Sequence, residues 1–134
     1  MGLDNGIHVR RTEYSNKIKA LRKFEHIWDT EHKYDFEICY WRKCWNVRGE
    51  ILHALGAYSD NDYEAPISLL TIDSVIKALK SFNAENWDDN GLGGSIWTWE
   101  EQKPHIKRHI HNLKYIKKLM KKYPNLEVYF YDSY

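Results

Sequence analysis

Cysteine is scarce in this chain, which has 134 residues and carries thiols only at Cys39 and Cys44. Two cysteines with four residues between them cannot build a disulfide framework, and they fall short of the four ligands that a structural zinc site needs. Disulfides are rare in the cytosol, whereas buried thiols are common there. We therefore expect both residues to be reduced, partly buried thiols of a cytoplasmic protein.

Long hydrophobic runs are missing as well. The most apolar window, 67–70, is far shorter than the roughly 20 apolar residues of a membrane-spanning helix, so we expect no membrane partner. No apolar segment follows the first residues, and the sequence therefore predicts no secretory leader. The composition, 43% hydrophobic and 29% charged, is that of a globular chain, and the length predicts one domain over 1–134.

Phenylalanine contributes little to the aromatic content, with 4 Phe against 6 Trp and 10 Tyr. Trp and Tyr rings favour places where one end is dry and the other is wet, such as interfaces and ligand pockets. We therefore expect a homo-oligomer or a partner surface. Candidate residues are Tyr129, Tyr131 and Tyr134, on a strand that we expect at a sheet edge.

Charge is balanced overall but unevenly distributed, with a formal net charge of +1. The acids concentrate in 60–64 and 85–89, whereas the segment 103–122 contains none. A single-sign surface on one helix is therefore expected. The basic residues of this segment are Lys103, Lys107, Arg108, Lys114, Lys117, Lys118, Lys121 and Lys122.

Two periodicities alternate along the chain. Apolar and polar residues alternate at 6–10, 36–41 and 126–131, which predicts three strands. Spacings of three and four predict helices at 15–28, at 44–55 with Gly56 as the stop, and from Thr71 as the N-cap to 82. A capping box at 98–101 and a long apolar stripe predict a last helix ending at 123, with Pro104 either kinking it or opening a new helix. The segments 29–35, 59–66 and 83–94 are expected to be loops.

These elements predict an α+β fold, in which three or four helices pack on a small, mostly antiparallel sheet. Hairpin signals are missing, so the strand order stays open.

The segment 40–48 combines aromatic and basic side chains where a strand runs directly into a helix. Trp41 and Trp45 could stack on a base while Arg42 and Arg48 pair with a phosphate. The alternative is that both tryptophans belong to the core beneath the helix.

The basic helix allows three interpretations. It is a solvated face, or a nucleic-acid arm with Asn112 and Tyr115 as its only base readers, or one wall of a pocket for a small polyanion. In the last case Lys107, Arg108, His109 and Lys114 join the Trp–Arg segment in an anion-binding surface.

Signals for catalysis and for metals are weak. His105, His109 and His111 lie among cations that repel a metal ion, and the glutamate of the zincin pattern is missing. Cys44 has no sequence-near base, because His53 is more than two helical turns away. The glycine-rich loop 90–95 is better explained as a connector than as a phosphate cradle. We assign no catalytic residue, metal or cofactor, and expect a binding protein more than an enzyme.

The opening residues MGLDNGI at 1–7, with FEICYWRKCW at 36–45, resemble small uncharacterised proteins of phages and prophages. The resemblance covers about a third of the chain, and no activity comes with it. It implies an accessory protein in the cytoplasm of a host cell, where such proteins inhibit host processes, counter-defence among them. The first hypothesis is that the chain engages a host protein or sequesters an anionic nucleotide signal. The alternatives are a nucleic-acid-binding accessory protein using the helix at 103–122 and a nucleotide hydrolase or nuclease.

Overall fold

The computed structural model of the chain describes residues 3–25, 35–58, 63–91 and 93–133. Five expectations lie partly or wholly outside these ranges: the end of the helix proposed for 15–28, the loop at 29–35, the first part of the acidic loop at 59–66, position 92 of the loop at 83–94, and Tyr134. The elements in chain order are β1 (Asp4–Val9), α1 (Glu13–Asn16), a 3₁₀ helix (Lys19–Phe24), β2 (Phe36–Arg42), α2 (Trp45–Leu55), β3 (Tyr63–Ile67), α3 (Leu69–Lys80), α4 (Trp99–Lys122) and β4 (Val128–Ser133).

The four strands of the described ranges form one antiparallel sheet in the order β2-β1-β4-β3. This sheet and its helices confirm the predicted α+β class. The last strand, however, lies between β1 and β3 and not at an edge. Tyr129 and Tyr131 are accordingly buried, so the expectation that they form an exposed association surface is wrong.

The helix boundaries follow the capping signals. α2 ends where Gly56 adopts a left-handed conformation with φ of 61°, which glycine allows without steric cost. Thr98 and Glu101 form the predicted capping box of α4, and α4 continues through Pro104 to Lys122. α3 begins earlier than predicted, because Ser68 is its N-cap and Thr71 completes the box as the third helical residue.

Two segments depart from the predicted elements. Within 15–25 the chain forms only the end of α1 and the 3₁₀ helix, and not the long α-helix predicted there. Its apolar residues Ile18, Leu21 and Phe24 are three apart, which matches the three residues per turn of a 3₁₀ helix. The second half of the segment 59–66, expected to be loop, belongs to β3 (Tyr63–Ile67), and Pro66 is accommodated there because β3 is an edge strand.

The core lies between the sheet and the helices. Ile7, Trp41 and Phe130, on three neighbouring strands, are almost fully buried and share this core with residues of α2, α3 and α4. α3 packs against both α2 and α4, and α4 also contacts β2. This arrangement leaves the first half of α4 beside the outer edge of the sheet.

None of the helices in these ranges combines the length and the apolar character needed to cross a membrane.

Candidate functional site

A cleft of about 1110 Å³ runs along the outer edge of β2. Its described walls come from β2, the first half of α4, the 3₁₀ helix with Glu25, and the ends of β1 and β4. We call it the edge cleft. Its volume is slightly above the roughly 300–1,000 Å³ of small-molecule and cofactor sites.

The deepest lining residues with polar groups are Trp41 and His109. They are only 2% and 4% exposed, and their rings meet edge to face with centroids 4.8 Å apart. Among the described groups, Nε1 of Trp41 and Nδ1 of His109 are buried without a hydrogen-bond partner. Buried polar atoms are rarely left in this condition unless water or a ligand serves them. Both atoms are buried within the floor of the cleft, so a bound molecule reaches these two polar positions only by displacing the side chains around them.

His109 is held in its neutral form. Burial, together with the positive charge of Arg108 and the neighbouring His105, lowers the pKa of His109 to about 3. A neutral imidazole accepts one hydrogen bond and donates another, and the Trp41 indole only donates. The pair consequently suits a neutral group that both accepts and donates, as an amide does.

The edge of β2 is closed by side chains at two places beside this floor. The side-chain amide of Asn112 on α4 donates to the carbonyl of Ile38 at 3.1 Å. The indole of Trp97, just before α4, donates to the carbonyl of Arg42 at 3.1 Å. These bonds fix α4 and the preceding loop against the strand, and they stop the edge from pairing along its whole length.

Charges of both signs line the rim of the cleft. Among the described lining residues, Lys23, Arg42 and Arg108 supply three strong cations. Four acids face them, namely Asp4, Glu25, Glu37 and Glu101. The rim thus lacks the positive excess that a pocket for a free phosphate group needs.

At its outer end the cleft reaches the sheet face opposite the helices. Gly6 lies in register between Tyr40 and Tyr131, and a side chain there would come within 2.4 Å of the Cys39 carbonyl and 2.9 Å of the Tyr131 ring. Because glycine has no side chain, the Tyr131 ring can lie against the backbone at Gly6, beside β2. The Tyr40 hydroxyl donates to Asp4, and burial with this bond raises the pKa of Tyr40.

No family model, curated protein or solved structure matches the chain. The function is therefore inferred from the geometry of the cleft and of the surfaces around it.

The structure brings together half of the residues that the sequence singled out. Trp41, Arg42, Arg108 and His109 line the edge cleft. The other four, Trp45, Arg48, Lys107 and Lys114, are not part of its described lining.

Arg48 lies inside the protein, against the end of β4. Its Nε donates to both carboxylate oxygens of Asp132 at 2.9 Å, and the Asp132 side chain is 0% exposed. The guanidinium also lies 5.2 Å from the Trp45 ring centroid. Trp45 and Arg48, two of the four residues expected to stack on a base and bind a phosphate, therefore contact each other, and Arg48 also pairs with Asp132.

The remaining chemical candidates have structural roles. Cys39 and Cys44 are free and buried, and burial raises the pKa of both thiols, which disfavours the nucleophilic thiolate. In the glycine-rich loop, the amides of Gly93, Gly94 and Ser95 donate to backbone carbonyls of residues 88 and 90 and are not directed at a phosphate. Within the described ranges, no three His, Cys, Asp or Glu side chains gather to hold a metal ion.

Sequence reasoning missed the acidic half of the rim and the residues that close the edge of β2. The capping box did place Glu101 at the start of α4, and Trp97 directly precedes it, so a signal for these two existed. Nothing in the sequence paired Asn112 with Ile38, because that contact joins residues 74 positions apart. The alternation of β2 shows that Glu37 leaves the core, but not that it lines a cleft.

Proposed function

We propose that this chain is a non-catalytic accessory protein that binds a short segment of a partner protein in the edge cleft. In the setting that the phage resemblance implies, it acts in the cytoplasm of a host cell, and the partner is a host protein whose process is thereby inhibited. Self-association, expected from the Trp and Tyr content, belongs to the same proposal.

The observation that carries the proposal is the neutral polar pair at the floor. Trp41 Nε1 and His109 Nδ1 are buried, lie on adjoining rings and have no hydrogen-bond partner among the described groups. A peptide group matches them, since it offers a carbonyl to the indole and can donate to or accept from the imidazole. Positively charged peptide side chains can then pair with the acids of the rim, and negatively charged ones with its lysine and arginines.

An anionic nucleotide suits the cleft less well. Its phosphates would approach Arg42 and Arg108, but they would also approach Glu37 and Glu101. His109 offers no positive charge near neutral pH, because its pKa is about 3. The cost of bringing phosphates beside carboxylates outweighs what two partly solvated arginines return.

Selection from short random peptides displayed on yeast, followed by calorimetry of the winners, tests the proposal. Trp41→Phe keeps one aromatic ring but removes the indole N–H together with the pyrrole part of the side chain, so we expect affinity to fall about three- to tenfold. Trp45→Phe makes the same change outside the described cleft lining and should leave affinity unaltered.

The same calorimetry with cyclic dinucleotides and ADP-ribose addresses the other half of the first hypothesis. Tight binding of one of these without turnover, and with no peptide selected, would favour sequestration of a nucleotide and would contradict the peptide proposal. If a selected peptide binds Trp41→Phe and Trp45→Phe with equal affinity, that peptide does not reach the floor of the cleft.

A further inference from the structure

The face of α4 that points away from the edge cleft carries a line of lysines. At about 100° per residue, as 3.6 residues per turn requires, they fall within an arc of about 60°. With a rise of 1.5 Å per residue, the line is about 27 Å long. All of them are exposed, and we call them the basic stripe: Lys103, Lys107, Lys114, Lys118 and Lys121.

Little neutralises this stripe within the described structure. No acid occurs between 103 and 122 of the sequence. The ion pair that the structure gives this part of α4 joins Lys117, on the flank, to Asp73 of α3 at 2.6 Å. The basic stripe therefore presents a largely uncompensated positive field to solvent.

α3 adds a further cation in the middle of the stripe. Lys80, the last residue of α3, lies close to Lys114, where donation from the Lys80 ammonium to a neutral Lys114 amine and the repulsion between the two charges lower the pKa of Lys114. The end of α3 thus places a second lysine beside the middle of the stripe on an exposed surface. An anion between them would relieve the repulsion and bind both.

The polar side chains of α4 that could read bases are turned away from this face. Asn112 donates to the Ile38 carbonyl, and the Tyr115 hydroxyl to the Ala20 carbonyl. Lysine binds phosphate as a point charge and carries no sequence information. A straight line of such charges without stacking aromatics fits the backbone of a duplex better than a single strand, whose bases need aromatic platforms.

We propose that the basic stripe, with Lys80, binds double-stranded nucleic acid through its phosphates and without sequence preference. This surface lies on the opposite side of α4 from the edge cleft, so both can be occupied at once. The five lysines of the stripe and Lys80 together neutralise up to six phosphates, one for each lysine.

Fluorescence anisotropy with two unrelated DNA duplexes of about 20 base pairs, between about 50 and 200 mM salt, tests the proposal. We expect similar affinities for the two sequences. Because each neutralised phosphate contributes about −0.9, the slope of log K against log salt should lie between about −3 and −5.

A charge-matched pair of variants locates the site. Lys107→Gln with Lys114→Gln should make the slope shallower by about 2, since two phosphate contacts are lost. Lys17→Gln with Lys19→Gln removes the same charge from exposed positions outside α4 and should change the slope by much less. Circular dichroism checks that both double variants keep their helices.

Three results would overturn the proposal. The first is an absence of duplex binding at the lowest salt concentration, and the second is an equal loss of duplex affinity in the two double variants. The third is an affinity for polyglutamate equal to that for the duplex. The last would assign the stripe to an acidic protein. None of them bears on the edge cleft, because the peptide experiment uses different residues.

Discussion

Arg48 and Asp132 form the ion pair with the least exposed carboxylate in the described structure. Arg48→Ala removes this arginine from a buried carboxylate, which typically costs about 3 kcal/mol or more of the free energy of unfolding. Urea denaturation measures this loss. Arg22, whose pair with Glu25 is exposed, provides the control, and Arg22→Ala should cost less than about 1 kcal/mol.

A double-mutant cycle separates the pair from the packing of the arginine stem. Asp132→Asn removes the buried charge, so Arg48→Ala should be much less damaging in that background. Equal costs in both backgrounds would mean that the stem packing, and not the charge, stabilises this corner of the sheet.

His109 gives the protein a predictable weakness in acid. Its pKa is about 3 in the folded protein, where Trp41, Arg108 and His105 surround it, and near 6.5 in an unfolded chain. Between these values the unfolded state binds a proton that the folded state does not. The folded state therefore loses about 1.4 kcal/mol per pH unit as the pH falls from 6.5 towards 3.

Urea denaturation at pH 7, 6 and 5 measures this dependence. His109→Gln cannot take up the proton, so its stability should fall less steeply with acid than that of the parent protein. His105→Gln, one turn away at an exposed position, should keep the steep dependence. Parallel curves for all three proteins would contradict the assignment to His109.

At the scale of elements, α4 is held to the outer strand by a side chain. Asn112→Ala leaves the Ile38 carbonyl without this donor, and we expect a loss of about 1–2 kcal/mol. His111→Ala alters the neighbouring exposed position on the same helix and should be nearly neutral. Hydrogen exchange supplies the local measurement, since β2 amides should exchange faster in the first variant only.

The sequence predicted the elements whose signals are local. Alternation located β1, β2 and β4, and the box at Thr98 located the start of α4. It did not predict β3, because Pro66 is unfavourable in a strand until the sheet provides an edge. The three-residue spacing of Ile18, Leu21 and Phe24 was interpreted as an α-helix, although this spacing fits a 3₁₀ helix.

For the molecule as a whole, strand order was the missing information. Trp41 and His109 were candidates from residue type alone, and their meeting depends on α4 packing beside β2. Without that order, Arg48 looked available for a ligand, whereas β4 brings Asp132 to it. Long-range pairing also placed Tyr129 and Tyr131 inside the sheet and not at its edge.

Self-association remains a prediction, but the residues that we expect to mediate it are no longer the tyrosines of β4. Tyr58 and Leu70 are 79% and 90% exposed, the largest values among the exposed large hydrophobic side chains of the described ranges. We expect light scattering at high concentration to give a mass above that of one chain, and Leu70→Ser to lower it. A single-chain mass at every concentration would refute the prediction.

The two edge strands of the sheet determine whether the protein can aggregate by strand pairing at high concentration. β3 carries Pro66, which has no N–H to offer an incoming strand, and β2 has two of its carbonyls bound by Asn112 and Trp97. Neither edge presents a full-length template for the cross-β growth that leads to fibrils. We therefore expect that the concentrated protein does not nucleate amyloid, and that copies which meet do so through side chains.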